Sequence, residues 1–497
     1  MLSRRSFTNA AAAGALMTVA PKFGRAERPA GVELLMEHDG IGLAGLVRSG
    51  QVSPRELIEA SIGAIEALDG EINAIPIRDF DRALDRASSI RPQGPFPGVP
   101  FSIKDTANVA GLASPTGGRF YASRVPLHSS GLVRLYEAAG LIVLGKTNVP
   151  EYNLIPSTEG SLFGPTRNPW NLDYSSGGSS GGAAACVAAG YMPLAHGTDG
   201  AGSIRIPGSH CSVFAFKPGS DRVLPANSQP RFSYDHVLSR TVRDSALSLA
   251  VTQDRSPAIA LPRLDFVRGP SNRRLRIGFY LDGYAVPPTP EVAEAVEATA
   301  RLCESLGHEV IETRQPIERD RFEEAYNKLF ARNFEALISL IEESTGQPIR
   351  DSGMMNRFTI DFTDAAGDIG PEALAEADAF LVNLSRQYRS WMTPFDVVLS
   401  PVTYAPPPEI GFLFDNEVEW DIMSRRVFDY VCYTSPMNAF GLPGMSVPLA
   451  WSAEGFPIGS HFFAEYGQEQ MLLELAYELE AARPWKDTWA PHSIASL

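Results

Sequence analysis

Glycine and serine are concentrated in residues 177–218, and this stretch constrains the fold more than any other part of the chain. Residues 177–182 are Gly-Gly-Ser-Ser-Gly-Gly, and residues 197–207 are Gly-Thr-Asp-Gly-Ala-Gly-Ser-Ile-Arg-Ile-Pro. Such clusters, taken alone, are typical of flexible linkers. Here the small residues 183–189, closed by Gly190, predict a tightly packed helix directly after the first cluster. The glycines therefore belong to ordered structure, where they let the backbone approach a ligand closely.

The second cluster has the pattern of an anion-binding turn. Successive backbone N–H groups in a glycine-permitted turn form a concave site for negative charge. In this chain Gly200, Ala201, Gly202 and Ser203 would supply these donors. They would face the oxyanion that develops when a nucleophile attacks a carbonyl group, which indicates hydrolase chemistry.

Two other glycine motifs could account for the first cluster. Residues 177–181 fit the Gly-x-Ser-x-Gly nucleophile elbow, which would make the protein a His-dependent esterase or lipase. That elbow needs an apolar strand before it, whereas residues 168–175 are turn-formers. A phosphate-binding loop is excluded because the Gly-Lys-Ser/Thr ending is absent. The esterase remains an alternative at this point.

The composition is typical of a folded enzyme, and it favours a small molecule as the binding partner. The chain has 497 residues, of which 44% are hydrophobic and 20% charged, and a formal net charge of -15. Without clustered Lys and Arg, binding to nucleic acid is excluded. No His/Cys/Asp cluster has metal-ligand spacing, so neither a metal nor another cofactor is expected. The four cysteines are predicted to be small buried apolar residues, which need not form disulfide bonds.

The first residues resemble a twin-arginine export signal. Arg4 and Arg5 precede the weakly apolar residues 10–20, and Gly24-Arg25-Ala26 offers a cleavage site. We expect residues 1–26 to be removed and the mature protein to reside in the periplasm. The apolar run is about half of what spanning a bilayer requires, so no stable membrane insertion is expected after cleavage. The alternative is an uncleaved terminus and a cytoplasmic protein.

Along the rest of the chain, the spacing of apolar residues predicts alternating strands and helices. The capping box at residues 53–56 predicts a helix that ends at Asp69-Gly70. Residues 99–105 and 141–145 predict strands, with a helix over 132–139 between them. Further core strands are expected at 395–401 and 444–449, and a last helix at 470–482. This alternation implies α/β layering.

The motifs, in this order and spacing, resemble the amidase signature family of serine hydrolases. That family is characterised by a Gly-Gly-Ser-Ser-Gly-Gly segment, a Gly-Thr-Asp-x-Gly-Gly-Ser-Ile-Arg segment and a closing Lys-Pro, here Lys217-Pro218. The resemblance covers nearly all of residues 27–497. It implies an α/β fold with a large mixed central β-sheet covered by helices on both faces, in one catalytic domain. Residues 255–390, rich in charge and helical periodicity, are expected to shape the substrate pocket.

The resemblance also implies the catalytic residues. Lys104 is the base, Ser179 the bridging serine on a cis peptide, and Ser203 the nucleophile that forms an acyl-enzyme. A lysine acts as a base only when it is neutral, so burial must lower the pKa of Lys104 from about 10.4 toward the working pH. A relay of two serines and one lysine needs no histidine, and the histidines are assigned no catalytic role.

Four neighbouring polar residues are expected to hold the turn rigid through hydrogen bonds. They are Ser180, Thr198, Asp199 and Arg205. An ion pair is expected between Asp199 and Arg205. The expected activity is hydrolysis of a small or medium carboxylic amide to an acid and an amine or ammonia.

The chain departs from the family pattern at four positions. Ala201, Ser212 and Ala215 stand where glycine is usual, and Gly208 stands where alanine is usual. A methyl group at Ala201 is harmless if φ is negative and strains the turn if φ is positive. The strained case would leave a catalytically silent binding protein, which is the second alternative.

Overall fold

The computed structural model describes residues 28–89, 91, 93–227 and 231–497. The export signal expected at residues 1–26 lies outside the described residues. Within them, no helix is long and apolar enough to cross a membrane.

The described elements alternate between helices and strands, as the periodicity predicts. The helices are α1 (Val32–Glu37), α2 (Gly40–Arg48), α3 (Pro54–Ile72), α4 (Phe80–Ser89), α5 (Gly131–Ala138), α6 (Gly181–Ala188), α7 (Arg205–Cys211), α8 (Val242–Thr252), α9 (Pro290–Ser305), α10 (Arg319–Thr345), α11 (Ile349–Ser352), α12 (Arg357–Ala365), α13 (Pro371–Met392), α14 (Trp420–Val431), α15 (Ser435–Ala439) and α16 (Glu469–Ala482). The strands are β1 (Ile77–Arg78), β2 (Pro100–Lys104), β3 (Ile142–Thr147), β4 (Glu159–Gly160), β5 (Gly164–Pro165), β6 (Arg167–Asn168), β7 (Asn171–Ser175), β8 (Leu194–Asp199), β9 (Phe214–Lys217), β10 (Tyr234–Ser239), β11 (Arg276–Phe279), β12 (Glu309–Glu312), β13 (Val397–Pro401), β14 (Gly444–Trp451) and β15 (Pro457–Ala464). Two short 3-10 helices span Glu151–Asn153 and Ile494–Ser496.

A mixed sheet of eight strands forms the centre of the fold. Its order is β12-β11-β13-β15-β14-β9-β10-β8. Strand β11 runs parallel to β12 and β13, and the remaining neighbours are antiparallel. A smaller sheet, β1-β3-β2, carries the parallel pair β2 and β3. The predicted mixed α/β architecture is confirmed.

Helices cover both faces of the large sheet. Because side chains alternate along a strand, neighbouring residues of one strand report on opposite faces. Val397 and Leu399 of β13 pack in a cluster with residues of α8, α9 and α16. Val398, between them, packs with residues of α10 and α13 on the other face.

Helix α3 begins as predicted but ends later. Its capping box is formed in both directions. The helix passes Asp69-Gly70 and ends at Ile72, where Asn73 takes a left-handed conformation with φ of 59°. The Asp69 carboxylate accepts hydrogen bonds from the N–H groups of Ala74 and Ile75. Asp69 therefore stabilises the turn that follows the helix, and it does not mark the end of the helix.

One further expectation needs correction, and another is extended. The turn-forming residues 168–175 include β7 and the end of β6, which pair in an antiparallel hairpin. Residues 255–390 supply α10, which contacts the site described below, and also supply β11 and β12 to the edge of the large sheet. This region therefore belongs to the central architecture as well as to the pocket.

The four cysteines are buried, as predicted, and the structure shows them unpaired.

Two of the departures from the family pattern compensate each other. A Cβ atom added at Gly208 would lie 2.3 Å from the Cβ atom of Ala215. The space that alanine usually fills at position 208 is therefore occupied by the methyl group of Ala215. Ser212 follows α7 with φ of 58°, a conformation that glycine adopts without strain.

We expect Gly208→Ala to lower the free energy of unfolding by about 1–3 kcal/mol, because it overpacks the contact with Ala215. The double variant Gly208→Ala/Ala215→Gly should recover most of this loss, since it restores one methyl group to the same space. Urea unfolding of both single variants and the double variant measures the coupling. Additive effects would contradict the steric explanation.

Candidate active site

Lys104 is fully buried at the end of β2. Its Nζ atom lies 2.8 Å from Ser179 Oγ, 2.8 Å from Thr198 Oγ1 and 3.2 Å from the Thr198 carbonyl oxygen. Burial lowers the pKa of the Lys104 ammonium to about 7, although Asp199 and Asp235 act in the opposite direction. A substantial neutral fraction is therefore present near neutral pH, as a base requires.

Ser179 lies in the turn before α6, and the peptide bond between Gly178 and Ser179 is cis. The cis bond predicted at this position is confirmed. The next residue joins this turn to the second glycine cluster, because the Ser180 N–H donates to the Ser203 carbonyl oxygen at 3.1 Å. The Ser180 hydroxyl also donates to the Thr198 carbonyl oxygen and accepts from the Thr198 N–H. The two turns are thus held side by side.

Ser203 lies where two cavities meet. Its residue is 8% exposed, whereas Ser179 is 1% exposed. The first, here called the aromatic cavity, is lined by Phe322, Tyr326, Phe330, Phe362 and Phe428 together with Ala201 and Ser203. The second, here called the polar cavity, is lined by the hydroxyl or amide side chains of Thr106, Thr116, Asn227, Ser233 and Asn333 together with Ser179, Thr198 and Ser203, and by the apolar side chains of Phe330, Phe334 and Leu337. The structure therefore brings Ser179 and Ser203 to the wall of one cavity.

Asp199 organises the turn that carries Ser203. Its buried carboxylate accepts from the N–H groups of Gly202 at 2.7 Å and Ile204 at 3.1 Å. Arg205 donates to it through Nε at 3.0 Å and Nη2 at 2.9 Å, which confirms the predicted ion pair. Burial alone would raise the pKa of Asp199, but the adjacent guanidinium holds it well below its usual range. The turn is therefore built around a fixed negative charge.

This geometry corrects the predicted set of oxyanion donors. The Gly202 N–H points to Asp199 and is not free for a ligand. By contrast, the N–H groups of Gly200, Ala201 and Ser203 donate to no described residue. The carbonyl oxygens of Gly200 and Ala201 accept instead from the hydroxyls of Tyr326 and Thr434. Three N–H groups therefore remain as candidate oxyanion donors.

Ala201 does not strain the turn. It is not among the described non-glycine residues with positive φ, whereas Gly202 has φ of 129°. A Cβ atom at Gly202 would also lie 2.4 Å from Thr434 Oγ1. The position that needs glycine is 202, and the methyl group at 201 occupies an ordinary backbone conformation.

The histidines near the site serve other contacts. His196 Nδ1 accepts from the Lys104 backbone N–H at 3.3 Å, and its Nε2 lies 2.9 Å from Asp235 Oδ1. His461 Nε2 lies 3.0 Å from Arg205 Nη1. In the described part of the chain, no histidine hydrogen-bonds to the hydroxyl of Ser179 or Ser203. The same residues contain no group of three or more His, Cys, Asp or Glu that could hold a metal ion.

Comparison with known proteins shows the family to which the chain belongs. The family model described as Amidase matches residues 56–473, which is most of the chain. The chain belongs to the amidase family. It is accordingly a hydrolase of carboxylic amide C–N bonds, the class to which its named relatives belong.

The relatives of this amidase match it over almost their whole length. AmiC of Mycobacterium leprae is 34% identical over 464 residues, covering 92% of this chain and 97% of AmiC. The 6-aminohexanoate-cyclic-dimer hydrolase of Paenarthrobacter ureafaciens is 33% identical over 474 residues, covering 90% and 95%. A solved 6-aminohexanoate cyclic dimer hydrolase with bound substrate has a TM-score of 0.84 at 30% identity, covering 92% of this chain and 99% of that structure.

Two residues of this amidase that hold the site together, Asn438 and Asp235, are absent from the site residues predicted from the sequence. Asn438 donates to the Asp199 carbonyl oxygen at 2.8 Å and accepts from Arg205 Nη2 at 2.6 Å. Asp235, which contacts His196, lies in β10, outside the glycine motifs. The segment around Asn438 carries a family resemblance, which was the available signal for that residue. No comparable signal marks Asp235.

Proposed function

We propose that this amidase cleaves its substrate through an acyl-enzyme on Ser203, with Lys104 as base and Ser179 as the proton bridge. One observation carries the proposal. The buried Lys104 amine contacts Ser179 Oγ at 2.8 Å, and Ser179 lines the same cavity as Ser203. A neutral amine has two N–H donors and one lone pair. It can therefore donate to both Thr198 oxygens and accept a hydrogen bond from the Ser179 hydroxyl.

Acylation begins when Ser203 Oγ attacks the substrate carbonyl carbon. The Ser203 proton passes to Ser179 Oγ as the Ser179 proton passes to Lys104 Nζ. The free N–H groups of Gly200, Ala201 and Ser203 stabilise the oxyanion. Ser179 then gives a proton to the amide nitrogen and is reprotonated by Lys104. The C–N bond breaks and the amine leaves. The acyl group remains bound to Ser203 Oγ as an ester.

Deacylation uses the same groups with water in place of Ser203. Water attacks the ester carbonyl carbon and passes its proton to Ser179 as Lys104 takes the Ser179 proton. When the C–O bond breaks, Ser179 gives its proton to Ser203 Oγ and is reprotonated by Lys104. This step releases the carboxylic acid. Each turnover therefore consumes one water molecule and restores the neutral lysine.

Neither alternative function gains support from the site. A His-dependent esterase needs a histidine in contact with its nucleophile. Here His196 contacts Lys104 and Asp235, and His461 contacts Arg205. A silent binding protein was suggested by Ala201, whose φ is not positive. We therefore retain a single proposed mechanism.

A substrate screen tests the proposed function. Protein spanning residues 27–497 should release acid and amine from members of a panel that includes aliphatic, aryl and cyclic amides. Mass spectrometry of protein quenched during turnover should show one acyl group on Ser203. Failure to hydrolyse any amide, together with no labelling by a fluorophosphonate, would contradict the proposal.

We also propose that the amidase is exported to the periplasm. The support is the Arg4-Arg5 pair ahead of an apolar run and the cleavage site at Gly24-Arg25-Ala26. Fractionation of cells that produce the full chain tests this, with Arg4→Lys/Arg5→Lys as the comparison. Periplasmic protein that persists unchanged in this variant would contradict the twin-arginine route.

A further inference from the structure

The two cavities that meet at Ser203 have different access to the proton bridge. Four residues line both cavities, namely Asn153, Gly200, Ser203 and Phe330. Ser179 and Thr198 line only the polar cavity. Ala201, which supplies a candidate oxyanion donor, lines only the aromatic cavity. The site is therefore asymmetric about the nucleophile.

This asymmetry fixes how an amide can be oriented, given the proposed function on which this inference rests. The leaving nitrogen must receive a proton from Ser179, so it must lie within hydrogen-bond reach of that hydroxyl. Only the polar cavity offers this contact. The substituent on the other side of the carbonyl carbon must then extend into the aromatic cavity.

The linings of the cavities indicate which groups they accept. The aromatic cavity presents six aromatic rings, those of Tyr284, Phe322, Tyr326, Phe330, Phe362 and Phe428, and apolar surface of this kind favours alkyl or aryl groups. Its one charged side chain among the described lining residues, Glu323, is paired with Arg319 at 3.2 Å. The polar cavity presents amide and hydroxyl side chains, among them Asn227 and Asn333, beside the apolar side chains of Phe330, Phe334 and Leu337. It presents no charged side chain among its described lining residues.

We propose that the aromatic cavity holds the acyl group and the polar cavity holds the leaving amine. The preferred substrates are then amides of an apolar carboxylic acid with an amine that carries a neutral hydroxyl or amide group. Asn333 is a specificity-determining residue for the amine, and Phe362 for the acyl group.

Two isomeric amides test the orientation. N-(2-hydroxyethyl)-2-phenylacetamide has an aryl acyl group and a hydroxyl on the amine, and N-(2-phenylethyl)glycolamide has these groups exchanged. Because the isomers share their composition, overall hydrophobicity does not separate them. We expect kcat/KM for the first to exceed that for the second by roughly tenfold or more. Equal values, a preference for the second, or cleavage of neither isomer by an enzyme that hydrolyses other amides would overturn the assignment.

Two variants assign each cavity separately. Asn333→Leu should lower kcat/KM for the hydroxyethyl amide severalfold and leave 2-phenylacetamide, which lacks the hydroxyl, nearly unchanged. Phe362→Leu should lower kcat/KM for both substrates by the same factor, since they share the acyl group. Thermal unfolding of both variants checks that the fold is retained. If Asn333→Leu affects both substrates equally, the polar cavity does not select the amine.

The outcomes for the orientation and for the proposed function are distinguishable. If the proposed function fails, no amide is hydrolysed and no acyl group forms on Ser203. If only the orientation fails, hydrolysis still depends on Ser203, but the preference between the isomers is lost or reversed.

Discussion

Replacing Ser203 with alanine is expected to lower kcat/KM for amide hydrolysis by roughly 10⁴-fold or more, because the acyl-enzyme cannot form. Substrate binding should persist, since the cavity walls and the three free N–H groups are unchanged. The measurement is amine release under single-turnover conditions, combined with fluorophosphonate labelling, which should disappear.

Ser305→Ala is the matched control, because it makes the same change at an exposed position on α9. This variant should keep full activity and full labelling. Retained labelling in Ser203→Ala would place the nucleophile elsewhere and would overturn the mechanism.

Replacing Lys104 with methionine is expected to lower kcat/KM by roughly 10²–10⁴-fold, because the relay loses its base. Methionine approximates the volume of the buried side chain, so unfolding should stay cooperative. Lys104→Arg should be equally inactive, since a guanidinium stays protonated and cannot accept the proton. Activity in Lys104→Arg equal to that of the unmodified enzyme would contradict a neutral base at this position.

The same lysine sets the expected pH dependence. Its active form is neutral, and burial lowers its pKa to about 7. Therefore kcat/KM should rise about tenfold per pH unit well below pH 7 and level off above it. Any residual activity of Lys104→Met should lack this step, and Lys328→Met, on the partly exposed side of α10, should retain it. A flat profile between pH 5 and 9 in the unmodified enzyme would contradict the assignment.

The local motifs could be predicted from the sequence because their residue types are tied to backbone geometry. The capping box of α3 and the helix after the first glycine cluster are both confirmed. The cis bond before Ser179, which the family resemblance implied, is also confirmed. The ion pair of Asp199 with Arg205 also follows from residues close in sequence. Short-range patterns of this kind carry enough information to place a feature within a few residues.

Contacts over long sequence separation could not be predicted in this way. Asn438 lies 239 residues from Asp199, and no periodicity links the two. The predicted role of Gly202 as an oxyanion donor was also wrong, because its N–H donates to the carboxylate of Asp199. The shape of that turn does not follow from the sequence. The walls of the aromatic cavity depend on how α10, α12 and α14 pack, which is a tertiary property.

The walls of the aromatic cavity and the proposed proton relay come from separate parts of the chain. Phe322, Phe330 and Phe362 lie on α10 and α12, whereas Lys104, Ser179 and Ser203 lie on β2 and the two glycine turns. Tyr326 is the exception, because its hydroxyl donates to the Gly200 carbonyl oxygen in the turn that carries Ser203. Under the proposed orientation, substitutions at the three phenylalanines would therefore retune the choice of acid and leave the groups that break the bond in place.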